Sequence, residues 1–223
     1  MSMVMGFPNG ARSDKVDCGN GASLNLLTAI SVDVLVKFPM PSGNQIVFMC
    51  KWNTNVGWLL QWDGTNDYFF LYVADGIVCR TTYPLNGLNK WTHVCFTFTS
   101  GAATGKGYIN GVDRTDFQAA KALGNPAVNL IVGNYVVANL APNNGFMAAV
   151  NIYDRVLSPS EVAYNYAHPN NPIKKGLIVG LTQESLFAGT WRDISGNANH
   201  GTLSATGVGP IPSNNLAGRQ VSL

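Results

Sequence analysis

The side chains best suited to binding chemistry in this sequence are aromatic rings that alternate along two neighbouring segments. If both segments are extended, Trp58 and Trp62 share one face of the first, and Tyr68 and Tyr72 share one face of the second. An aromatic ring has an apolar face and, in tyrosine and tryptophan, a polar edge, which suits it to stack on a sugar. The pattern predicts ligand binding at Trp58, Trp62, Tyr68 and Tyr72. The alternative is that protein covers both faces and that these rings are packing residues.

Other sequence patterns of catalytic or metal-binding residues are missing. The three histidines have no metal-ligand spacing, and the four cysteines include no Cys-x-x-Cys pair. The cysteines are therefore expected to be buried free thiols, with a disulfide between adjacent strands as the alternative. Residues 101–107 resemble a phosphate-binding loop but lack its final Ser or Thr and lead into a strand. No Gly-x-Ser-x-Gly motif supports a serine nucleophile.

The composition excludes several classes of protein. Of 223 residues, 46% are hydrophobic and only 12% are charged, about half the charged share of an ordinary soluble domain. Such a chain is not disordered, a net charge of +2 gives no basic field for nucleic acid, and no apolar run is long enough for membrane insertion. The N-terminus shows no signal peptide, since no basic region precedes an apolar stretch. We therefore expect synthesis in the cytoplasm.

Short apolar or alternating segments, separated by Gly, Asn, Asp and Pro, must position the candidate residues. Their β-branched and aromatic content and their even spacing are typical of strands in an all-β sandwich. The predicted strands are 15–18, 29–38, 45–52, 57–62, 68–74, 77–83, 91–99, 107–110, 112–117, 127–132, 145–153 and 176–181. Asn110-Gly111 between two of them favours a tight hairpin, because both residues accept positive φ.

One short helix is predicted at the end of the strand series. Ser158 and Glu161 have the spacing of a capping box, and Pro159 suits a first helical turn. The dipeptide His168-Pro169 is expected to end the helix. After residue 172 the composition changes to a further strand and then to a Gly-, Pro-, Ser- and Asn-rich stretch that we expect to be extended.

The order of several short motifs resembles the laminin-G-like domains of the concanavalin A-like lectin/glucanase superfamily. The matching stretches are 23–26, 30–37, 90–94 (Lys-Trp-Thr-His-Val), 108–112 (Tyr-Ile-Asn-Gly-Val), 130–133 and 145–158. The resemblance implies a two-sheet antiparallel jelly-roll β-sandwich. The sequence departs from the family twice. Ala148 and Ala149 stand where the family usually has an acidic pair, and the motif at 191–203 follows the sandwich, although the family has it before.

The resemblance raises two functions that carboxylates would serve. Glycoside hydrolysis needs two carboxylates flanking the bond, yet the chain has only two glutamates, and its acidic pair is replaced by alanines. We therefore predict no catalytic residues and no enzyme activity. Calcium, common in the family, is the one candidate cofactor, with Asp63 and Asp67 as the first metal ligands to test. Because Asp63 and Asp67 flank Gly-Thr-Asn, the alternative is that they only stabilise a turn.

The sequence divides into an N-terminal arm (1–13), a laminin-G-like sandwich (14–168) and a C-terminal extension (169–223). The extension is expected to add edge strands to its own or a neighbouring sandwich, with a truncated second domain as the alternative. We predict a non-catalytic component of a larger assembly, such as a virion decoration or fibre protein, located on a virion or extracellular surface. Its partners would be protein neighbours in a homo-oligomer or capsid lattice, and cell-surface glycan. A free-standing carbohydrate-binding module is the alternative, and a glycoside hydrolase is the third.

Overall fold

The chain forms an all-β jelly-roll sandwich of two antiparallel sheets, with one α-helix among the described residues, which confirms the predicted fold class. The computed structural model describes residues 3–7, 15–38, 45–82, 90–135, 145–187, 189–204 and 209–212. The strands are β1 (Met3–Phe7), β2 (Val16–Asp17), β3 (Ala29–Lys37), β4 (Gln45–Asn53), β5 (Val56–Asp63), β6 (Tyr68–Val73), β7 (Gly76–Thr82), β8 (Thr92–Thr99), β9 (Lys106–Ile109), β10 (Val112–Asp113), β11 (Thr115–Gln118), β12 (Ile131–Val132), β13 (Gly145–Tyr153), β14 (Leu177–Thr182), β15 (Leu186–Phe187), β16 (Thr190–Trp191), β17 (Gly201–Leu203) and β18 (Gly209–Pro212). The helix is α1 (Pro159–Ala167).

The strand order shows how the two sheets are built. Sheet A has the order β10-β9-β8-β3-β13-β1-β18. Strands β1 and β14 share one edge of β13, where β1 pairs with residues 145–147 and β14 pairs with residues 149–153. Sheet B has the order β11-β7-β6-β5-β4-β12-β2-β17-β16-β15. Within sheet B, β4 to β7 form a meander of consecutive hairpins. This meander carries all of the predicted ligand-binding and metal-binding residues.

Strict alternation places the core between the sheets. In β3, for example, Ile30, Val32, Val34 and Val36 are buried in the main core. Buried apolar surface contributes roughly 25 cal/mol per Å², so this inter-sheet layer is the main source of stability. Sheet B supplies most of the large rings of the layer, and Phe38, Trp62 and Phe69 pack edge to face or tilted, with centroids 5.0–6.2 Å apart.

Helix α1 begins where the capping box predicts. The Ser158 hydroxyl accepts a hydrogen bond from the Glu161 amide at 3.3 Å, and the Glu161 carboxylate accepts one from the Ser158 amide at 2.8 Å. Arg155 adds an ion pair to Glu161 at 2.7 Å. The helix covers the outer face of sheet A, where Val162 joins a small cluster with Tyr153.

The C-terminal segment contributes strands to both sheets of its own chain. Strand β14 pairs with β13 in sheet A, and β17 pairs with β2 in sheet B. The segment is held by Trp191, which is fully buried and donates its indole N–H to the Thr182 carbonyl at 2.7 Å. Asp193 accepts hydrogen bonds from the amides of Gly180, Ser195 and Asn199 and from the Ser195 hydroxyl.

Both ends of the described chain also lie in sheet A. Residues 1–13 are predicted as an arm, but their described part, β1, is a strand between β13 and β18. Met5 and Phe7 are fully buried in the main core, because alternate side chains of an inserted strand face it. Residues 213–223, which belong to the predicted extended tail, lie outside the described residues.

Two strand predictions need correction. The predicted strand 112–117 is two strands, β10 in sheet A and β11 in sheet B. The chain changes sheets at Arg114 because the Asp113 carboxylate accepts hydrogen bonds from the amide and hydroxyl of Thr115, which forms a turn. The predicted strand 127–132 is strand only at Ile131–Val132.

The cysteines are buried thiols that form no disulfide, as expected from their apolar surroundings: Cys18, Cys50, Cys79 and Cys95. Burial raises the pKa of the Cys79 thiol to about 12, and nearby Asp113 and Asp116 add to that effect. Such a thiol is almost wholly protonated at neutral pH and therefore a poor nucleophile. Among the described residues, no helix has the length and apolarity needed to cross a membrane.

Candidate functional site

An open pocket of about 460 Å³ lies on the outer face of sheet B, which points away from the core. This volume falls within the range of small-molecule sites, roughly 300–1,000 Å³. The lining is aromatic and amide-rich: Gln45, Trp52, Asn55, Leu59, Gln61, Asp63, Tyr68, Phe70, Tyr72, Ile77 and Tyr135. We call this feature the sheet B pocket.

Strands β5 and β6 supply the centre of the sheet B pocket through their two-residue period. Leu59, Gln61 and Asp63 point outward from β5, because Trp58, Leu60 and Trp62 point into the core. On β6, the outward residues are Tyr68, Phe70 and Tyr72. The register places Asp63 opposite Tyr68, Gln61 opposite Phe70 and Leu59 opposite Tyr72. Each polar group of β5 therefore lies beside an aromatic ring.

The aromatic rings of the pocket support one another. Tyr68, Phe70 and Tyr72 form a row, with centroids 5.5 and 6.4 Å apart, and Trp52 packs on Tyr72 at 5.3 Å with its ring tilted by 65°. Edge-to-face contacts of this kind hold aromatic side chains in place. Phe70 and Trp52 are almost buried, whereas Tyr68, Tyr72 and Tyr135 are half-buried. The tyrosines therefore offer both ring surface and hydroxyl groups to a ligand.

Asp63 is the single charged side chain among the described residues that line the pocket. One of its carboxylate oxygens accepts from the amides of Thr65 and Asn66 at 2.8 and 3.3 Å, and the other accepts from the Asn66 side chain at 3.0 Å. Burial alone would raise the pKa of Asp63, but these hydrogen bonds outweigh burial and lower it. Asp63 is therefore an anion at neutral pH.

Tyr68 lies between this anion and a cation. Burial, the charge of Asp63 and a hydrogen bond to Asp63 raise the pKa of the Tyr68 phenol, while Arg80 lowers it in part. The Arg80 guanidinium lies 5.0 Å from the Tyr68 ring centroid and is paired with Asp116, with 3.0 Å between Nε and Oδ1. The positive charge of Arg80, beside the pocket, is thus already balanced by a carboxylate.

Of the four aromatic residues predicted to bind a ligand, two lie in the core and two line the sheet B pocket. Trp58 and Trp62 are in the core with 2% and 0% of their surface exposed, so their assignment as binding residues is wrong. The register explains why, since Trp58 pairs with Val73 and Trp62 with Phe69, and both of these residues face inward. Tyr68 and Tyr72 lie on the outer face and line the pocket together.

Most of the other lining residues were not predicted from the sequence as binding residues, and Gln61 and Tyr135 are two examples. Gln61 carried a usable signal, because a polar side chain between Leu60 and Trp62 marks the outward face of a strand. Tyr135 carried none, since it follows β12 in the chain and reaches the pocket only through the pairing of β12 with β4.

The predicted metal ligands Asp63 and Asp67 occupy one turn. Asp63 is engaged by the hydrogen bonds of the turn, and Asp67 is exposed with a positive φ of 54°. Within the described ranges, no group of three or more His, Cys, Asp and Glu side chains could hold a metal ion. Calcium binding at Asp63 and Asp67 stays a prediction.

A second polar cluster lies under helix α1 on sheet A and is closed to solvent. Asp33 accepts hydrogen bonds from the side chains of Asn151 and Asn165 at 3.0 and 3.3 Å, and its Oδ2 lies 2.8 Å from His93 Nε2. Asn165 also donates to the Tyr153 hydroxyl at 2.9 Å. All five side chains are buried, so this cluster joins α1 to the sheet and offers no binding surface.

Comparison with known protein families identifies the family to which this arrangement of strands belongs. A family model described as the concanavalin A-like lectin/glucanases superfamily, of the laminin-G type, matches residues 9–163. The chain belongs to this superfamily. The match covers most of the sandwich, including the whole meander β4–β7 that carries the sheet B pocket. No curated protein sequence matches the chain.

Three solved structures of the superfamily fold are similar to this chain. A Bacteroides ovatus protein provisionally described as carbohydrate-binding has a TM-score of 0.68 and 16% identity over 95% of this chain, which spans 60% of that protein. A heptameric pentraxin from Limulus polyphemus has a TM-score of 0.56 and 14% identity over 74% of this chain and 82% of its own. Botulinum neurotoxin type C, whose cell entry depends on two ganglioside molecules, has a TM-score of 0.51 and 12% identity over 66% of this chain and 37% of its own. At these identities the likeness shows a shared fold.

Proposed function

We propose that this protein is a non-catalytic carbohydrate-binding module and that the sheet B pocket holds the saccharide. The observation that carries the proposal is the row of Tyr68, Phe70 and Tyr72 beside the amide of Gln61. Saccharides present apolar C–H faces and many hydroxyl groups, which match aromatic faces and amide hydrogen-bond partners. Carbohydrate-binding proteins with the same fold lend support, since carbohydrate binding is ascribed to the Bacteroides protein.

The pocket lacks what hydrolysis needs. Glycosidases generally use two carboxyl groups that flank the scissile bond, and the described lining contributes only Asp63. Glu161 is occupied by the helix cap and Arg155, and Glu184 is exposed in a short turn after β14. These observations support binding without catalysis.

A glycan array followed by titration calorimetry tests the proposed function. Tyr72→Ala removes half of the Trp52–Tyr72 contact and a ring of the pocket, so we expect at least a tenfold loss of affinity for any glycan that binds. Tyr164→Ala is the matched control, because Tyr164 is an exposed tyrosine on α1, which covers the outer face of the other sheet. Equal binding by both variants would assign the glycan to another surface, and a silent array would contradict the function itself.

The predicted role as a structural part of a virion or other assembly is a separate proposal. It rests on the low charge of the chain and its uncharged Asn- and Gly-rich surface. The mass of the purified native particle tests it. A large symmetric particle is expected for a capsid or fibre component, whereas a monomer would contradict this role and leave the carbohydrate-binding proposal in place.

A further inference from the structure

We infer that the sheet B pocket selects uncharged saccharides and rejects acidic ones, such as those that carry sialic acid, a uronic acid or sulfate. This inference rests on the proposed function, because it names the class of saccharide that the same pocket would take. It is argued from the charges that surround the pocket and from the hydrogen-bond groups that point into it.

The only full charge among the described lining residues is negative. Asp63 is 8% exposed and lies at the end of β5, beside Tyr68. Its turn keeps it ionised through bonds from Thr65 and Asn66. An acidic group brought into the pocket would face this carboxylate across a partly desolvated space, where repulsion is stronger than in bulk water.

No cation of the neighbouring strands compensates for Asp63. Arg80 is committed to Asp116 and lies against the rings of Tyr68 and Phe117, at 5.0 and 5.4 Å. Lys51 belongs to β4 but is buried, and its ammonium group donates to Asn125 Oδ1 at 2.7 Å and to the Pro126 carbonyl at 2.6 Å. Asp116 balances the charge of Arg80 and Lys51 is buried, so a carboxylate or sulfate on the ligand would meet no unbalanced positive charge among these residues.

The uncharged lining groups suit hydroxyl groups. Gln45, Asn55 and Gln61 each carry an amide that both donates and accepts, and three tyrosines can do the same through their phenol oxygens. A sugar hydroxyl is likewise both donor and acceptor, so such groups can pair without any formal charge. The Asp63 carboxylate adds an acceptor that a sugar hydroxyl satisfies and that a second carboxylate cannot.

The test uses a glycan array built of matched pairs, in which each acidic glycan is printed beside its neutral parent. We expect the neutral member of each binding pair to bind roughly tenfold more tightly, which lies between the factors of about 3 and about 100 that two like charges about 6 Å apart give at effective dielectric constants of about 80 and about 20. Raising the salt concentration from 0.05 to about 0.5 M should narrow this preference through screening.

Asp63→Asn is the decisive variant, because an Asn side chain keeps the oxygen that accepts from Thr65 while it removes the charge. We expect the ratio of the affinities for the neutral and the acidic member of each pair to fall several-fold, whatever the loss of the Asp63 acceptor does to neutral binding itself. Asp67→Asn is the matched control, since Asp67 lies on the same turn but does not line the pocket, and it should leave the preference unchanged.

The outcomes separate the inference from the function beneath it. If acidic members bind as well as or better than their parents, or if Asp63→Asn leaves the preference unchanged, the charge selection is wrong although carbohydrate binding stands. If no member of any pair binds to protein that unfolds cooperatively, both proposals are wrong.

Discussion

Asp33 Oδ2 lies 2.8 Å from His93 Nε2, and both side chains are at most 3% exposed. Because a carboxylate can only accept, His93 Nε2 carries the hydrogen of this bond. The pair connects β3 to β8 and, through Asn165, fastens helix α1 to sheet A. A polar group of this kind, removed from water, depends on each of its partners for its stability.

Removing the charge of Asp33 should destabilise the protein strongly. Asp33→Asn replaces one acceptor oxygen by a donor that would face the donating side chains of His93, Asn151 or Asn165. Leaving a buried hydrogen-bonding group without its partner costs about 1–3 kcal/mol, and we expect a loss near the upper value because three side chains donate to Asp33. Urea unfolding followed by circular dichroism measures it. Asp75→Asn, on an exposed Asp that pairs with Lys121, is the control and should cost far less, because an ion pair at the surface contributes little. Equal losses in both would contradict a stabilising role of the buried cluster.

Glu161 gives a pH dependence of known sign. The side-chain hydrogen bond from Arg155 is the main cause that lowers the pKa of Glu161 to about 2, from 4.5 in the unfolded chain. Its contribution is therefore complete above about pH 4.5 and is lost as the pH falls through 2. We expect Glu161→Gln to cost about 1–2 kcal/mol at pH 7 and much less at pH 2. Thermal melts across this range test it, with exposed Glu184→Gln as the control. A cost that does not change with pH would show that the cap, without its charge, accounts for the effect.

Trp58 and Tyr72 should separate stability from binding. Trp58→Ala leaves a large cavity in the core and is expected to lower the unfolding free energy by about 3–5 kcal/mol. Tyr72→Ala removes a half-buried ring on the outer face and should cost less than half as much. Thermal melts and the glycan titration, run on both variants, compare the two effects. If Trp58→Ala kept the native stability and lost glycan binding, Trp58 would be a binding residue and its assignment to the core would be contradicted.

The C-terminal segment should be required for folding. Asp193→Asn replaces a carboxylate oxygen of a group that accepts four hydrogen bonds, and a cost of about 1–3 kcal/mol is expected. Asp154→Asn, at an exposed position, is the matched control. Deletion of residues 176–223 would uncover one edge of β13 and should abolish cooperative unfolding. A truncated chain that melts as the full chain does, with the same mass in solution, would contradict this prediction.

The strand pattern predicted most of the fold because alternation in segments such as 29–38 is set by burial on one face. The site was harder to predict, because β6 carries aromatic residues on both faces and β5 carries tryptophans on the face that turns inward. The local sequence shows that Trp58 and Tyr72 each belong to an alternating pattern of their strand. Only the position of sheet A decides which of the two faces of β5 and β6 is covered. Tyr135 reaches the pocket through a long-range pairing that no local pattern encodes.

The cluster around Asp33 illustrates a further limit. Asn151 and Asn165 are 1% exposed, although asparagine is usually a surface or turn residue. Their burial depends on Asp33, 118 and 132 residues away in the chain. A motif search identifies His93 as part of a strand but cannot supply these partners.

The pairing of β1 with β18 affects how the molecule would respond to a mechanical load. Met3 lies opposite Pro212, so the beginning of one strand and the end of the other meet at the same point of sheet A. A force that pulls these two residues apart would act across the strands and not along them. It would therefore break the hydrogen bonds between β1 and β18 one after another. Unfolding under tension would thus start at β18. The meander β4–β7, which holds the sheet B pocket, belongs to the other sheet and would come under force only afterwards.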